Sequence, residues 1–231
     1  MLWLMSQGDP IEEGKQAARR HQMVTGQLRP AGVRDERVLA AFEDVPRHRF
    51  APPGKEGEAY EDHPVFIGYE QTMSQPLVVA VMVQALDVGE HHRVLDVGAG
   101  SGYQTAILAR LAKWVYAIER VSALALRAEV ALRALGVANV SFRVGDGSLG
   151  WPEEAELGKF DRIICGAGGP QIPQSWIDQL AEGGRIVAPI GGADLQQITV
   201  LDKRGSMILR KEIMPVRFVK LIGQEGWPET A

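Results

Sequence analysis

The chain has 231 residues, of which 45% are hydrophobic and 23% charged, with a net charge of −4. That suffices for one well-cored domain of about 200 residues plus some further structure, and the mild acidity argues against a broad nucleic-acid surface. A single cysteine, Cys165, excludes an intrachain disulfide framework, and no apolar run is long enough to cross a bilayer. Met1–Met5 is apolar but too short for a signal sequence, so a soluble, cytoplasmic protein is expected.

From the N-terminus, residues 11–28 have helical character, with Met23, Val24 and Leu28 among polar neighbours. Asp35 can cap a second helix in which Val38, Leu39 and Phe42 recur at helical spacing. Residues 45–76 read as a long loop broken by Pro46, Pro52, Pro53, Gly54, Gly57, Pro64, Gly68 and Pro76. Irregular stretches of that length are more often functional than idle. An apolar helix over 77–86 follows, closed by Asp87-Val88-Gly89.

From Arg93 short apolar runs alternate with helical ones. Strands are expected at Arg93–Val97, Trp114–Ile118, Val140–Val144, Arg162–Cys165 and Arg185–Pro189, with helices near 103–112, 122–135 and 173–181. The alternation predicts an α/β fold with a doubly wound, mostly parallel sheet and helices on both faces. After Pro189 the helical signal stops. Gln196–Asp202 and Ser206–Ile213 flank a turn at Lys203–Gly205 and predict an antiparallel hairpin at the sheet edge. This is the Rossmann-like layout of class I methyltransferases, with an N-terminal helical extension. The expected organisation is one domain, with helices and a loop over 10–90, a cofactor-binding core over 91–190, and the hairpin and a substrate-facing segment over 191–231.

In open α/β sheets ligands sit beyond the carboxyl ends of the strands, and three successive strands here end in acid. Arg93–Val97 carries Asp96 and runs into a turn containing Gly98, Gly100, Ser101 and Gly102, where glycine lets a ligand approach the main chain. A dinucleotide fingerprint would place its third glycine where Tyr103 stands, and Asp96 would repel a pyrophosphate. The turn suits a ligand with an ammonium group and no phosphate, such as S-adenosylmethionine. Glu119, at the end of the second strand, stands where an acid accepts from ribose hydroxyls. Asp146, followed by Gly147 after the third, can accept from an adenine amino group. Each piece alone has an ordinary explanation as a tight turn or a helix-start acid; their combination points to a ligand.

The loop Gln71-Thr-Met-Ser-Gln-Pro76 and the segments Val45-Pro-Arg47, Phe50-Ala-Pro52, Leu135-Gly136, Gly145-Asp-Gly147 and Gly183-Gly-Arg185 resemble the protein-L-isoaspartate O-methyltransferases over nearly the whole chain. The resemblance implies transfer of a methyl group from S-adenosylmethionine to the free carboxylate of L-isoaspartyl residues in damaged proteins and peptides. Repair then proceeds through the methyl ester and a succinimide. It implies that Ser74 is the active-site serine, orienting the substrate carboxylate, and that Gln71 and Thr72 shape the same loop and reach the cofactor. A carboxylate is ionised at neutral pH, so this displacement at a sulfonium carbon needs no general base. Ser74 can also be read as a helix N-cap before Pro76. Val216–Gly223, with Val219 and Leu221, resembles the family's peptide-contacting segment, and reads equally as a terminal strand. Departures are Lys220, where the family often has proline, and the glycine-rich Cys165–Pro170.

His91 and His92 are adjacent in a turn, and His21, His48 and His63 lack ligand spacing, so no metal is expected. Cys165 reads as a buried, inert thiol. The alternatives are a methyltransferase acting on a small molecule or RNA, a cofactor-binding module without turnover, and an NAD-dependent dehydrogenase. The expected partners are isoaspartyl proteins and peptides, with no nucleic acid and no membrane, and the expected state is a monomer.

Overall fold

The computed structural model describes residues 10–151, 158–205 and 207–229, so Met1–Met5 and Ser206 lie outside the described residues. Helix α1 (Pro10–Met23) carries Glu12 and Glu13 in its first turn and Arg20 and His21 in its last, the distribution the helix dipole favours. It runs on into a π-helical turn, Val24–Leu28, marked by the bond from Arg29 N to Val24 O at 3.1 Å. Regular α-helix to residue 28 is what the sequence predicts. Gly26 and the Thr25 hydroxyl, which donates to His21 O at 2.8 Å, both loosen the ladder there.

Asp35 caps α2 (Glu36–Asp44), accepting from Arg37 N at 2.9 Å. Helix α3 (Pro76–Leu86) begins on a proline and ends at Asp87 in the left-handed region. The loop expected between them is not bare: Val65–Gly68 (β1) and Gln71–Met73 (β2) form an antiparallel hairpin. Its tip residues Tyr69 and Glu70 both have positive φ, 54° and 59°. That is the twist of a hairpin turn, made without the Gly or Asn that usually announces one. Such short strands also show no readable alternation.

Beyond α3 lie the strands β3 (Arg93–Val97), β4 (Trp114–Glu119), β5 (Val140–Val144), β6 (Phe160–Cys165), β7 (Leu180–Gly191), β8 (Gln196–Arg204) and β9 (Met207–Val216). Helices α4 (Tyr103–Leu111), α5 (Ser122–Ala134) and α6 (Gln174–Gln179) stand between them. The strand order is β5-β4-β3-β6-β7-β8-β9. Strands β3 to β7 pair in parallel, and β8 is antiparallel to both β7 and β9. Most predicted elements lie within one or two residues of the observed ones. β7 departs most, starting at Leu180, not Arg185, and shortening the helix before it, and β9 runs on to Val216, three residues past its predicted end. Gly183 and Gly184 read as a loop in sequence. In the sheet they sit in a bulge between the pairs Phe160↔Leu180 and Arg162↔Arg185.

Both faces of the central strands are covered, while the edge strand β9 is largely exposed. Val94, Val115, Ile164 and Val187 pack with α2 to α5, while Leu95, Val97, Ile163 and Ile186 pack with Trp151 and with Trp176 of α6. Because side chains alternate across a strand, Asp96 points with Val94 toward α4. Among the described residues no helix is long and apolar enough to cross a membrane.

Candidate active site

After β3 the chain turns through Gly98, Gly100 and Gly102 at φ 74°, 55° and 87°. At Gly102 a side chain is excluded twice, by that φ and because a Cβ would stand 2.9 Å from the Cβ of Ala128 on α5. Four of the turn's N–H groups are already committed. Gly98 N and Ala99 N donate to Ile118 O at 2.9 and 3.3 Å, Gly100 N to Glu119 Oε2 at 2.9 Å, and Gly102 N to Ala99 O at 2.8 Å. Ser101 Oγ accepts from Tyr103 N at 3.3 Å. A pyrophosphate would need free N–H groups at this helix start, so the turn does not fit a dinucleotide. Acids facing a glycine cradle do fit a sulfonium amino acid linked to a nucleoside.

The three acids hold different positions around that cradle. Asp96 is fully buried beneath it, accepting from Gln104 Nε2 at 2.7 Å and from Thr105 Oγ1 at 2.6 Å. Glu119 is 5% exposed; besides Gly100 N it accepts from Val121 N at 2.9 Å through Oε1. Asp146 is half-buried, and its Oδ1 accepts from Ser148 N and Oγ at 2.9 and 2.7 Å. Gly147, next to it, is buried and its carbonyl accepts from Trp176 Nε1 at 2.9 Å.

The hairpin brings the second predicted element to the same place. Ile67 on β1 abuts the turn, its Cδ1 lying 3.5 Å from where a Cβ on Gly100 would stand. On β2, Gln71 Nε2 donates to Tyr69 O at 3.2 Å, and Thr72 is exposed. Ser74 follows, partly exposed, and its hydroxyl makes no hydrogen bond among the described residues. Gln75 occupies the cap position of α3, with no side-chain capping bond. The capping role open to Ser74 in the sequence is therefore not taken up in the fold.

The C-terminal segment closes the far side. Gly168 N donates to Val219 O at 2.7 Å and Leu221 N donates to Gly168 O at 2.8 Å. Leu221 is buried, so its side chain belongs to the core and its main chain is committed; the exposed positions of the segment are Arg217 and Lys220. Gln224 N donates to Asp146 Oδ2 at 2.8 Å, and Trp227 Nε1 to Gly168 O at 3.0 Å. The glycine-rich stretch that departs from the family pattern is the junction of these contacts. Gly166 N donates to Val97 O at 2.8 Å, and a Cβ on Gly166 would come 2.9 Å from Gly98 O. Cys165, just before it, is buried, and burial pushes its thiol up to about 12.

Comparison with known proteins meets this geometry. The family model for protein-L-isoaspartate(D-aspartate) O-methyltransferase (PCMT) matches residues 18–226, a span holding both the glycine turn and the Ser74 loop. The chain belongs to the protein-L-isoaspartate O-methyltransferase family. It is 49% identical over 208 residues to the protein-L-isoaspartate O-methyltransferase of Methanoregula boonei, covering 90% of this chain and 94% of that one. With the enzyme numbered 1 of Syntrophobacter fumaroxidans it shares 46% over 208 residues, covering 90% and 96%. Among solved structures, a Plasmodium falciparum protein-L-isoaspartate O-methyltransferase in complex with S-adenosyl-L-homocysteine superposes with a TM-score of 0.75 at 26% identity, covering 87% and 98%. Another protein-L-isoaspartate O-methyltransferase gives 0.79 at 28%, covering 90% of this chain and 67% of that one.

In a protein-L-isoaspartate O-methyltransferase built this way, Asp96 carries a pH signature. Burial raises its carboxyl to about 6 from an ordinary 3.8, the Thr105 and Gln104 hydrogen bonds oppose the rise, and nearby Glu119 adds to it. The protonated form therefore stabilises the fold in full below about pH 4, and that contribution is lost as pH rises through about 6, roughly 3 kcal/mol in all. A ligand ammonium group near the ionised carboxylate offsets this loss. S-adenosyl-L-homocysteine is expected to bind about tenfold more tightly at pH 7.5 than at pH 5, and Asp96→Asn should flatten the profile. Titration calorimetry at the two pH values checks this, and a flat wild-type profile would remove Asp96 as the charge partner.

Sequence reasoning gave no role to Arg47, which is fully buried and donates from Nη2 to Ser74 O at 2.6 Å. It also missed Arg127 of α5, which donates to Ile67 O at 2.7 Å and stacks over Tyr69. The one signal for Arg47 in the sequence is its place in Val45-Pro-Arg47, a segment that resembles the family. Nothing local marks Arg127.

Proposed function

We infer that this chain transfers the methyl group of S-adenosylmethionine to the free carboxylate of L-isoaspartyl residues in damaged proteins and peptides. The observation that carries the reading is the family match across residues 18–226, spanning the turn and the Ser74 loop together. S-adenosylmethionine supplies an electrophilic methyl group on a sulfonium sulfur. Asp96, Glu119 and Asp146, with Gly98, Gly100, Ser101, Gly102 and Gly147, hold its amino-acid, ribose and adenine parts. Gln71 and Thr72 border the same space.

The chemistry asked of the protein is alignment. The acceptor carboxylate has an ordinary pKa near 4 and is ionised at neutral pH, so no side chain has to take a proton. Ser74 donates its hydroxyl to one carboxylate oxygen and leaves the other to attack. Positioning of this kind supplies roughly 7–11 kcal/mol in favourable cases. The main-chain nitrogen next in the peptide then attacks the ester carbonyl, expelling methanol and closing a succinimide, which adds water to open to normal aspartate or back to isoaspartate. Val219 and Lys220 border the peptide, and Leu221 anchors the segment from the core. Under this reading the chain acts in the cytoplasm as a single catalytic unit and a monomer, without nucleic acid.

Labelled methyl transfer to a peptide bearing one L-isoaspartate, beside its L-aspartate twin, tests the reading. Label in the first alone is expected. Label in neither, with S-adenosyl-L-homocysteine still bound, would overturn it.

A further inference from the structure

Among the described residues Arg47 is the largest charged side chain that is fully buried, at 0% exposure. Among the described residues it makes no ion pair. Asp62, the carboxylate that bears on it through space, lies beyond ion-pair distance and accepts instead from Leu77 N at 3.3 Å. Arg47 Nε donates to Ala59 O and Nη2 to Ser74 O, both at 2.6 Å. The guanidinium lies 4.6 Å from the centre of the Tyr103 ring, which is itself packed edge-on by Phe42 and Phe50. Nη1 and the Tyr103 hydroxyl are both buried and complete no hydrogen bond of good geometry, although the hydroxyl interacts favourably with the guanidinium and is the main group opposing the cost of its burial. Burial lowers the group to about 10, so it remains charged at neutral pH.

An unpaired buried cation is costly. Holding two carbonyls requires only neutral N–H donors, as a glutamine amide could supply. What glutamine would lack is charge. That charge is bonded to the carbonyl of Ser74, and through Tyr103 it adjoins the glycine turn, since Tyr103 follows Gly102 directly. The reaction inferred above brings an anion to Ser74.

We propose that Arg47 is a positioning residue that fixes Ser74 and supplies the positive potential drawing the substrate carboxylate to it. The site then selects an ionised carboxylate over a neutral group of the same shape. The proposal rests on the isoaspartyl reading, and the experiment separates the two. An L-isoaspartyl peptide serves as methyl acceptor, and the same peptide with that carboxylate converted to carboxamide serves as competitive inhibitor. In the wild type the inhibition constant for the carboxamide should exceed KM for the acceptor by about tenfold or more. Arg47→Gln should raise KM by about tenfold, with the carboxamide constant and S-adenosyl-L-homocysteine affinity changed by less than about twofold. Arg47→Lys, charged but with a poorer fork of donors, should recover most of the selectivity. Equal losses for both peptides in Arg47→Gln would reduce Arg47 to a structural tie and overturn the proposal. Equal binding of the two peptides by the wild type would overturn it without any variant. Absence of methyl transfer in the wild type would overturn both readings, whereas transfer without selectivity defeats this one alone.

Discussion

Replacing Glu119 by alanine is expected to weaken S-adenosyl-L-homocysteine binding by about 100-fold, seen as Kd by calorimetry. The carboxylate has about four acceptor sites. Two are taken, by Gly100 N and Val121 N, leaving capacity for the two ribose hydroxyls assigned to it. Under the proposed assignment alanine removes those ribose bonds, and it strands the Gly100 and Val121 N–H groups that shape the glycine turn and the approach to α5. Hydrogen bonds to charged groups contribute roughly 1.5–3 kcal/mol each, so two lost ligand bonds amply cover the expected change. Glu119→Gln keeps an acceptor while losing the charge and should fall between. A Kd within about threefold of wild type for the alanine variant would end the ribose assignment, because even one such bond is worth more.

Ser74→Ala is expected to lower kcat/KM for the isoaspartyl peptide by about 100-fold, with S-adenosyl-L-homocysteine affinity unchanged. The hydroxyl makes no hydrogen bond among the described residues, and the cap position belongs to Gln75. Its removal should therefore cost the fold little. A thermal melt within a few degrees of wild type would establish that the loss is chemical. If kcat/KM holds and the melt drops instead, Ser74 is a structural residue and the carboxylate contact must be sought elsewhere on the loop. Arg47 complicates any larger replacement at this position, since it grips the Ser74 carbonyl and responds to shifts of the backbone.

Where sequence reading succeeded, the signal was local. β3 and β5 have the predicted bounds because a short apolar run between turn residues is a property of five consecutive positions. Asp35 caps α2 because capping needs only a carboxylate two residues before an N–H. Where it failed, the determinant was remote or the usual marker was missing. The β1–β2 hairpin turns through Tyr69 and Glu70, residues that do not advertise positive φ. β7 crosses Gly183-Gly184 because β6 offers it a pairing edge from Phe160 onward. Leu221, read as facing substrate, is instead drawn into the core, where Gly168 and Trp227 claim its main chain.

Residue order alone makes legible the alternation of strands and helices, the acid at each of three strand ends and the Gln71–Pro76 loop. These follow from residue periodicity and turn chemistry, which act over a few neighbouring positions. The company each of those groups keeps is set by packing. It places Asp96 beneath the turn and Glu119 across from Gly100, and it lays the C-terminal segment over Asp146. It also seats an unpaired arginine behind Ser74. Those relations join residues far apart in the chain, and burial, which decides which polar groups must find partners, exists only once the layers have packed.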